Sequence, residues 1–279
     1  MKKRSTIMAV IAIIMLLSSV LPASAAPRFK DVDSDKLGWA VPSINFMVDK
    51  GVMKGYKDGK FQPNWSITRA ELAVMLYKLF PEKREKSNAK YFKDVTKNHW
   101  AYKEITAMRY HMGSFLWEGA KLKPEQPITR WELMLVLDSV FPLKKESQEL
   151  IFFPYEMINI PPTGDGHLVE MLMGLKDIEK MYINAEQDWR NESEELKAFY
   201  KRMDRPDYLS MPFVLLEVDQ GIEYISGNGD FEFLKAEALY NIISNDIMKP
   251  DDNGYFRPKS KVTRAEIATI LHRSYNMKK

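Results

Sequence analysis

Three times the chain writes a helix start in nearly the same letters: Ile67-Thr68-Arg69-Ala70-Glu71, Ile128-Thr129-Arg130-Trp131-Glu132 and Val262-Thr263-Arg264-Ala265-Glu266. A chain that repeats itself this way reads as copies of one supersecondary unit. Most of the motif is folding chemistry. Thr68, Thr129 and Thr263 sit where an N-cap accepts from the N3 amide. Glu71, Glu132 and Glu266 sit where the N3 side chain reaches back to the N-cap amide. The apolar residue before each Thr (Ile67, Ile128, Val262) pairs in spacing with Leu72, Leu133 and Ile267, a hydrophobic staple. The arginines are different. Arg69, Arg130 and Arg264 occupy N1, where the helix dipole disfavours a cation. A cation held there three times, beside free helix N–H groups, suggests an anion site. The competing reading is a structural ion pair with a neighbouring copy's carboxylate.

The repeat is longer than the motif. Adding 61 to the numbering carries Trp39-Ala40 onto Trp100-Ala101, Pro63 onto Pro124 and Phe80-Pro81 onto Phe141-Pro142, with no gap. Adding 195 carries Val52-Met53-Lys54 onto Ile247-Met248-Lys249, Gly59 onto Gly254 and Phe61 onto Phe256. The steps of 61 and 134 residues leave about 73 extra residues between the second and third copies. Each unit reads as helix, loop, helix. Apolar residues at 41, 44, 47 and 48 have helical spacing. Gly51, Gly55 and Gly59 interrupt the chain, and a second helix runs from Arg69 to Phe80, ended by Pro81. Phe29-Lys30-Asp31-Val32 precedes the first unit and Phe92-Lys93-Asp94-Val95 the second. The organisation expected is mainly α: units over 27–81, 90–142 and 229–275, with an insert over 145–228.

Phe-x-Asp-Val, then Trp-Ala, a Gly-rich turn, Phe-x-Pro and Ile-Thr-Arg-Ala-Glu resembles the S-layer homology module. The resemblance covers roughly 150 of the 279 residues. The second copy has Met112, Leu116 and Ala120 where the turn glycines stand, and the third has Leu234 in place of Trp. The resemblance implies a pseudo-threefold helical unit with grooves between repeats. It implies non-covalent anchoring to the bacterial cell wall by binding a secondary cell-wall polysaccharide, often one bearing pyruvate ketals. Arg69, Arg130 and Arg264 would line such grooves and meet the ketal carboxylate. By the same analogy the grooves use Lys54-Gly55-Tyr56 and Lys249. Trp39 and Trp100 would stack on sugar or, the favoured reading, pack in the core. Copies one and three are expected to contribute more than copy two. Arg69→Ala with Arg264→Ala is expected to release the protein from the polysaccharide with helical content intact.

The compartment signals agree. Met1-Lys2-Lys3-Arg4, an apolar run from Ile7 to Leu17 and Ala23-Ser24-Ala25 read as a signal peptide over 1–25, cut after Ala25. A secreted, cell-surface protein follows, with no membrane span once the signal is removed. There is no Cys, so disulfide and thiol chemistry are excluded. The formal charge is +3, and removing Lys2, Lys3 and Arg4 leaves 3 − 3 = 0. Residues 145–228 hold 8 Lys/Arg and 17 Asp/Glu, so 8 − 17 = −9, and the rest of the mature chain is +9. The basic part, not the acidic insert, is the part suited to a polyanion.

The insert reads as three helices: His167 to Tyr182, Asp188 to Met203, and one from Asp204 and Pro206 towards Tyr224. A second register starts the third copy earlier, at Met157-Ile158-Asn159-Ile160-Pro161 with the helix from His167. The gapless match of 234–275 to copy one favours the first. His167 and Glu170 make too few ligands for a zinc site. No nucleophile elbow, phosphate loop or His-Glu-x-x-His occurs. The expectation is no enzyme, no metal, no cofactor and no nucleic-acid partner. Two alternatives stand: an envelope adaptor whose insert binds another surface protein, and a wall-associated hydrolase using the insert.

Overall fold

The computed structural model describes residues 27–86, 92–114, 121–141, 171, 173–178, 180–184, 213–218, 221–225 and 238–277. The signal peptide, Leu116, Ala120, the helix expected over Asp188 to Met203, and Leu234 lie outside them. The chain is mainly α. In the first unit Val41–Asp49 is followed by Arg69–Leu79. In the second, Tyr102–Ala107 and Arg109–Met112 precede Arg130–Val140. In the third, a helical stretch over 238–244 precedes Arg264–Met277.

The capping boxes form. Thr68 Oγ1 accepts from the Glu71 amide at 3.1 Å, and the Glu71 carboxylate accepts from the Thr68 amide at 2.8 Å. Thr129 with Glu132 and Thr263 with Glu266 repeat both bonds. The next two amides go elsewhere. Arg69 N donates to Gln126 O and Ala70 N to Pro124 O, both in the second unit. Arg130 N and Trp131 N donate to Ser260 O and Pro258 O in the third. Arg264 N and Ala265 N donate to Trp65 O and Pro63 O in the first. Each helix start therefore has its orphan donors satisfied, half locally and half by the following unit.

At the centre the ring closes on itself. Ile67 N donates to Val262 O, Val262 N to Ile128 O, and Ile128 N to Ile67 O, each at 3.0 Å. The side chains of these three residues are fully buried. Three units joined head to tail by equivalent bonds make a pseudo-threefold arrangement. The core fills around it, with Phe61, Phe80 and Phe256 among the largest fully buried side chains.

A second equivalence fixes the loops. The Asp31 carboxylate accepts from Phe61 N and Gln62 N, and Asp94 from Leu122 N and Lys123 N. In the third unit the same pair of bonds to Phe256 N and Arg257 N comes from Asp177. The second residue of each pair is left-handed: φ is 56° at Gln62, 53° at Lys123 and 58° at Arg257. A non-glycine residue there costs roughly 1–2 kcal/mol, and the charge-assisted bond from the aspartate offsets it. Lys176 N donates to Gly254 O as Lys30 N does to Gly59 O. Leu175-Lys176-Asp177-Ile178 thus stands where Phe29–Val32 and Phe92–Val95 stand. Residues 175–178, assigned to the insert from sequence, therefore make third-unit contacts. Met157 and residue 229 lie outside the described residues.

The helices expected over His167 to Tyr182 and towards Tyr224 are also corrected. Helical turn ends at residue 174, and Lys180–Asn184, Phe213–Val218 and Gly221–Ile225 are strands β1, β2 and β3. β1 pairs parallel with β2, and β2 antiparallel with β3. Phe213-Val214-Leu215-Leu216-Glu217-Val218 is rich in strand formers. The β2–β3 register opposes Val214 to Ile225 and Val218 to Gly221. Met112, read as a turn residue, ends the helix Arg109–Met112 and is buried.

One buried titratable group makes stability pH-dependent. His111 is buried, with Nδ1 2.9 Å from Ser139 Oγ. Burial holds its pKa below the ordinary 6.5, against opposing hydrogen bonds at Lys83 and Ser139. Below that ordinary value the unfolded chain binds more protons than the folded one, so stability is lost as pH falls through it. The urea midpoint is expected to drop between about pH 7.5 and 5.5, and His111→Gln to flatten that slope. An equal slope in the variant would show that another group titrates. Asp138, pushed up by burial, acts in the opposite direction at lower pH.

Candidate functional site

The motif arginines lie at the three junctions, and all are mostly buried. Arg69 is 5% exposed. Its Nη1 donates to Leu122 O at 2.6 Å, and Nη2 and Nε reach the two carboxylate oxygens of Glu132 at 2.6 and 3.4 Å. Arg130 donates through Nε to Phe256 O at 2.7 Å and through Nη2 to Lys249 O at 2.8 Å. Its Nη1 is 3.9 Å from Glu266 Oε1. Arg264, 7% exposed, donates through Nε to Phe61 O at 2.9 Å and through Nη2 to Lys54 O at 2.7 Å. Burial lowers its pKa, and Tyr56, Glu71 and Asp31 act against that. Burial lowers Arg130 too, with Glu266 the main opposing charge.

Each arginine thus clamps the carbonyl of a loop that the next unit's aspartate shapes: Leu122, Phe256 and Phe61. Arg69 and Arg130 also meet the next unit's capping glutamate, Glu132 and Glu266, whereas Glu71 acts on Arg264 only as a nearby charge. The premise of free helix N–H groups beside the arginines does not hold. Those amides are bonded across the junctions or within the capping boxes. The cation at N1 is explained by acceptors in the next unit, which outweigh a dipole term of under about 1 kcal/mol.

The three junctions are not equal. Arg69 is bidentate to a carboxylate, the geometry that satisfies a guanidinium most fully. Arg264 uses Nε and Nη2 on carbonyls, and its Nη1 makes no hydrogen bond among the described residues. Its guanidinium lies 5.2 Å from the Tyr56 ring centroid and 4.6 Å from that of Phe61. Arg264 comes together with the Lys54 carbonyl and the Tyr56 ring, and Arg130 meets the carbonyl of Lys249. The Lys249 side chain points away to Asp246, at 2.7 Å. Gly55 is required by packing, because a Cβ there would strike the Phe29 ring.

Trp39 and Trp100 are corrected. Core packing was favoured for both, yet they are 54% and 59% exposed. The buried positions belong to the residues that follow, Ala40 and Ala101. Trp100 donates its indole N–H to Glu125 Oε1 at 3.0 Å, an oxygen that His99 Nε2 also reaches. Sequence reasoning missed the aspartate at each loop, although Phe-Lys-Asp-Val and Leu-Lys-Asp-Ile carry it, and it missed Trp65. Among the described residues no group of His, Cys, Asp or Glu is placed to hold a metal ion. Among them, no helix is long and apolar enough to cross a membrane.

Residues 28–73 and 235–268 match the family model described as "S-layer homology domain". The chain carries the S-layer homology (SLH) domain. Both matched stretches meet at one place, the junction where Arg264 clamps the Phe61 and Lys54 carbonyls. The chain is 36% identical over 140 residues to "S-layer protein EA1" of Bacillus anthracis, 49% of this chain and 16% of that protein. It is 34% identical over 134 residues to "S-layer protein" of Bacillus licheniformis, 47% of this chain and 15% of that one. It is 30% identical over 118 residues to "Endo-1,4-beta-xylanase A" of Thermoanaerobacterium saccharolyticum, 42% of this chain and 10% of the xylanase. The SLH region alone carries the xylanase match. The chain thus spans less than a fifth of the length of these relatives.

Proposed function

We propose that the SLH module holds this protein non-covalently at the bacterial cell wall by binding a secondary cell-wall polysaccharide. The junction of the third and first units is the primary site, with a pyruvate-ketal carboxylate directed to Arg264. The observation that carries this reading is Arg264 itself. Among the described residues Nη1 makes no hydrogen bond in either Arg130 or Arg264, but Arg130 Nη1 has the Glu266 carboxylate at 3.9 Å. No carboxylate among those residues pairs with Arg264, at the junction of the two segments that match the family. A carboxylate accepting from Nη1 would be bound by a cation already positioned, at little further entropic cost. The same module adjoining otherwise unlike proteins, S-layer proteins and a xylanase, fits an anchoring role rather than catalysis.

The test uses the full chain and purified wall polysaccharide with and without its pyruvate groups. Binding to the intact polymer and at least about tenfold weaker binding after pyruvate removal are expected, equivalent to about 1.4 kcal/mol. Equal binding to both polymers would sink the carboxylate assignment. Lack of binding to either would sink the anchoring reading.

A further inference from the structure

We infer that Trp65 and Tyr56 form an aromatic platform that takes the face of a pyranose ring at the junction of the third and first units. Trp65 then makes that junction unlike the other two. This rests on the proposed polysaccharide binding and adds to it a contact with neutral sugar that needs no charge.

The two rings are exposed together, Trp65 at 56% and Tyr56 at 42%. Their centroids are 5.5 Å apart and their planes 63° apart, so they form one angled apolar surface. Isolated exposed aromatics are ordinary, whereas a contiguous exposed pair is suited to a ligand with apolar faces and polar edges. A pyranose is such a ligand. Its axial C–H groups can lie on an aromatic face while its hydroxyls stay in water or reach polar neighbours.

The platform is held rigidly from below. Trp65 O accepts from Arg264 N at 2.8 Å, and Trp65 N donates to Gln62 O at 3.1 Å. On either side, Pro63 O accepts from Ala265 N and Ser66 bridges to Thr263. Tyr56 N donates to Lys60 O, Tyr56 O accepts from Gly59 N, and the ring lies against the Arg264 guanidinium. Both backbones are ordered before any ligand arrives, so little ordering cost remains for binding. The charged and apolar parts of the site also touch each other. A sugar on the platform would lie next to the guanidinium that is directed to its carboxylate.

The three pseudo-equivalent positions show the specificity. The carbonyls that receive the N1 amides belong to Trp65, Gln126 and Ser260. The backbone does the same work at all three, and only the first position carries an aromatic side chain. Folding therefore does not ask for Trp at 65. Trp100, the other large exposed indole with a defined partner, is tied to Glu125 through its N–H.

Trp65→Gln tests this, because Gln already occupies the equivalent place in the second unit and keeps the carbonyl. Binding of the full chain to purified wall polysaccharide is expected to weaken about tenfold, with the urea midpoint unchanged. Trp65→Tyr is expected to restore binding to within about threefold of wild type, since it keeps an aromatic face. Wild-type binding left within about twofold by Trp65→Gln would overturn the platform and leave the anchoring reading standing. Absence of wild-type binding would overturn both.

Discussion

Arg69→Ala is expected to destabilise the module by about 3–5 kcal/mol, the range for removing one partner of a buried ion pair. Among the described residues the guanidinium donates to Leu122 O and to both oxygens of Glu132. Its removal leaves a carboxylate whose side chain is 17% exposed beside a buried carbonyl. The loss falls on the junction of the first and second units, and it needs no ligand to be seen. Arg28→Ala is the comparison. Its bond to Asp49 at 2.6 Å is as short, but the two side chains are 47% and 59% exposed. An exposed pair contributes at most about 1 kcal/mol. Urea denaturation of both variants reads the difference, and an Arg69→Ala midpoint close to that of Arg28→Ala would show that the clamp does not hold the ring. The expectation that Arg69→Ala with Arg264→Ala releases the polysaccharide with helical content intact is thereby replaced for its Arg69 half. Release by this variant would report the junction rather than the ligand, and substitutions at Trp65 separate the two.

The helix starts were legible in the sequence because a capping box is local. Thr68, Glu71 and the apolar residue before them lie within a single turn, so spacing alone specifies them. The partners of the arginines were not legible, because they are non-local. Glu132 lies 63 residues from Arg69, and Phe256 lies 126 from Arg130. A helix viewed alone shows four unbonded amides; only the neighbouring loop reveals who accepts from them. For Arg69 the geometry at Glu132 is that of a structural ion pair with the neighbouring unit's carboxylate, the competing reading that the motif itself allows. Trp39 and Trp100 were misplaced for a related reason. Helical periodicity was extended back to them, yet the helices begin after Ala40 and Ala101, and those alanines take the buried place. β2 and β3 were obscured by the acidic, helix-forming composition around them, although β2 itself reads as a strand.

Asp177→Ala is expected to cost roughly 3 kcal/mol, from two charge-assisted bonds and a stranded buried amide. Phe256 is fully buried, so its N–H loses its acceptor with little water to replace it. Arg257 keeps its left-handed φ of 58° without the bond that holds it there. The loop carbonyl of Phe256 is also the acceptor for Arg130, so the second junction is loosened as well. Asp31→Ala is expected to cost about as much, because its bonds to Phe61 and Gln62 are equivalent. The difference between them is the chain between partners: 30 residues for Asp31 and Phe61, 79 for Asp177 and Phe256. Closing the longer loop costs only roughly 1 kcal/mol more. This is why the unit can accept extra chain between Ile178 and residue 238 without losing its third aspartate. Asp252→Ala, an exposed neighbour of the same loop, is expected to stay within about 0.5 kcal/mol. Thermal or urea unfolding of the three variants decides the matter. Asp177→Ala behaving like Asp252→Ala would detach Leu175–Ile178 from the third unit. Asp177→Ala behaving like Asp31→Ala would make the insert a segment held inside that unit, carried on the ring rather than placed before it.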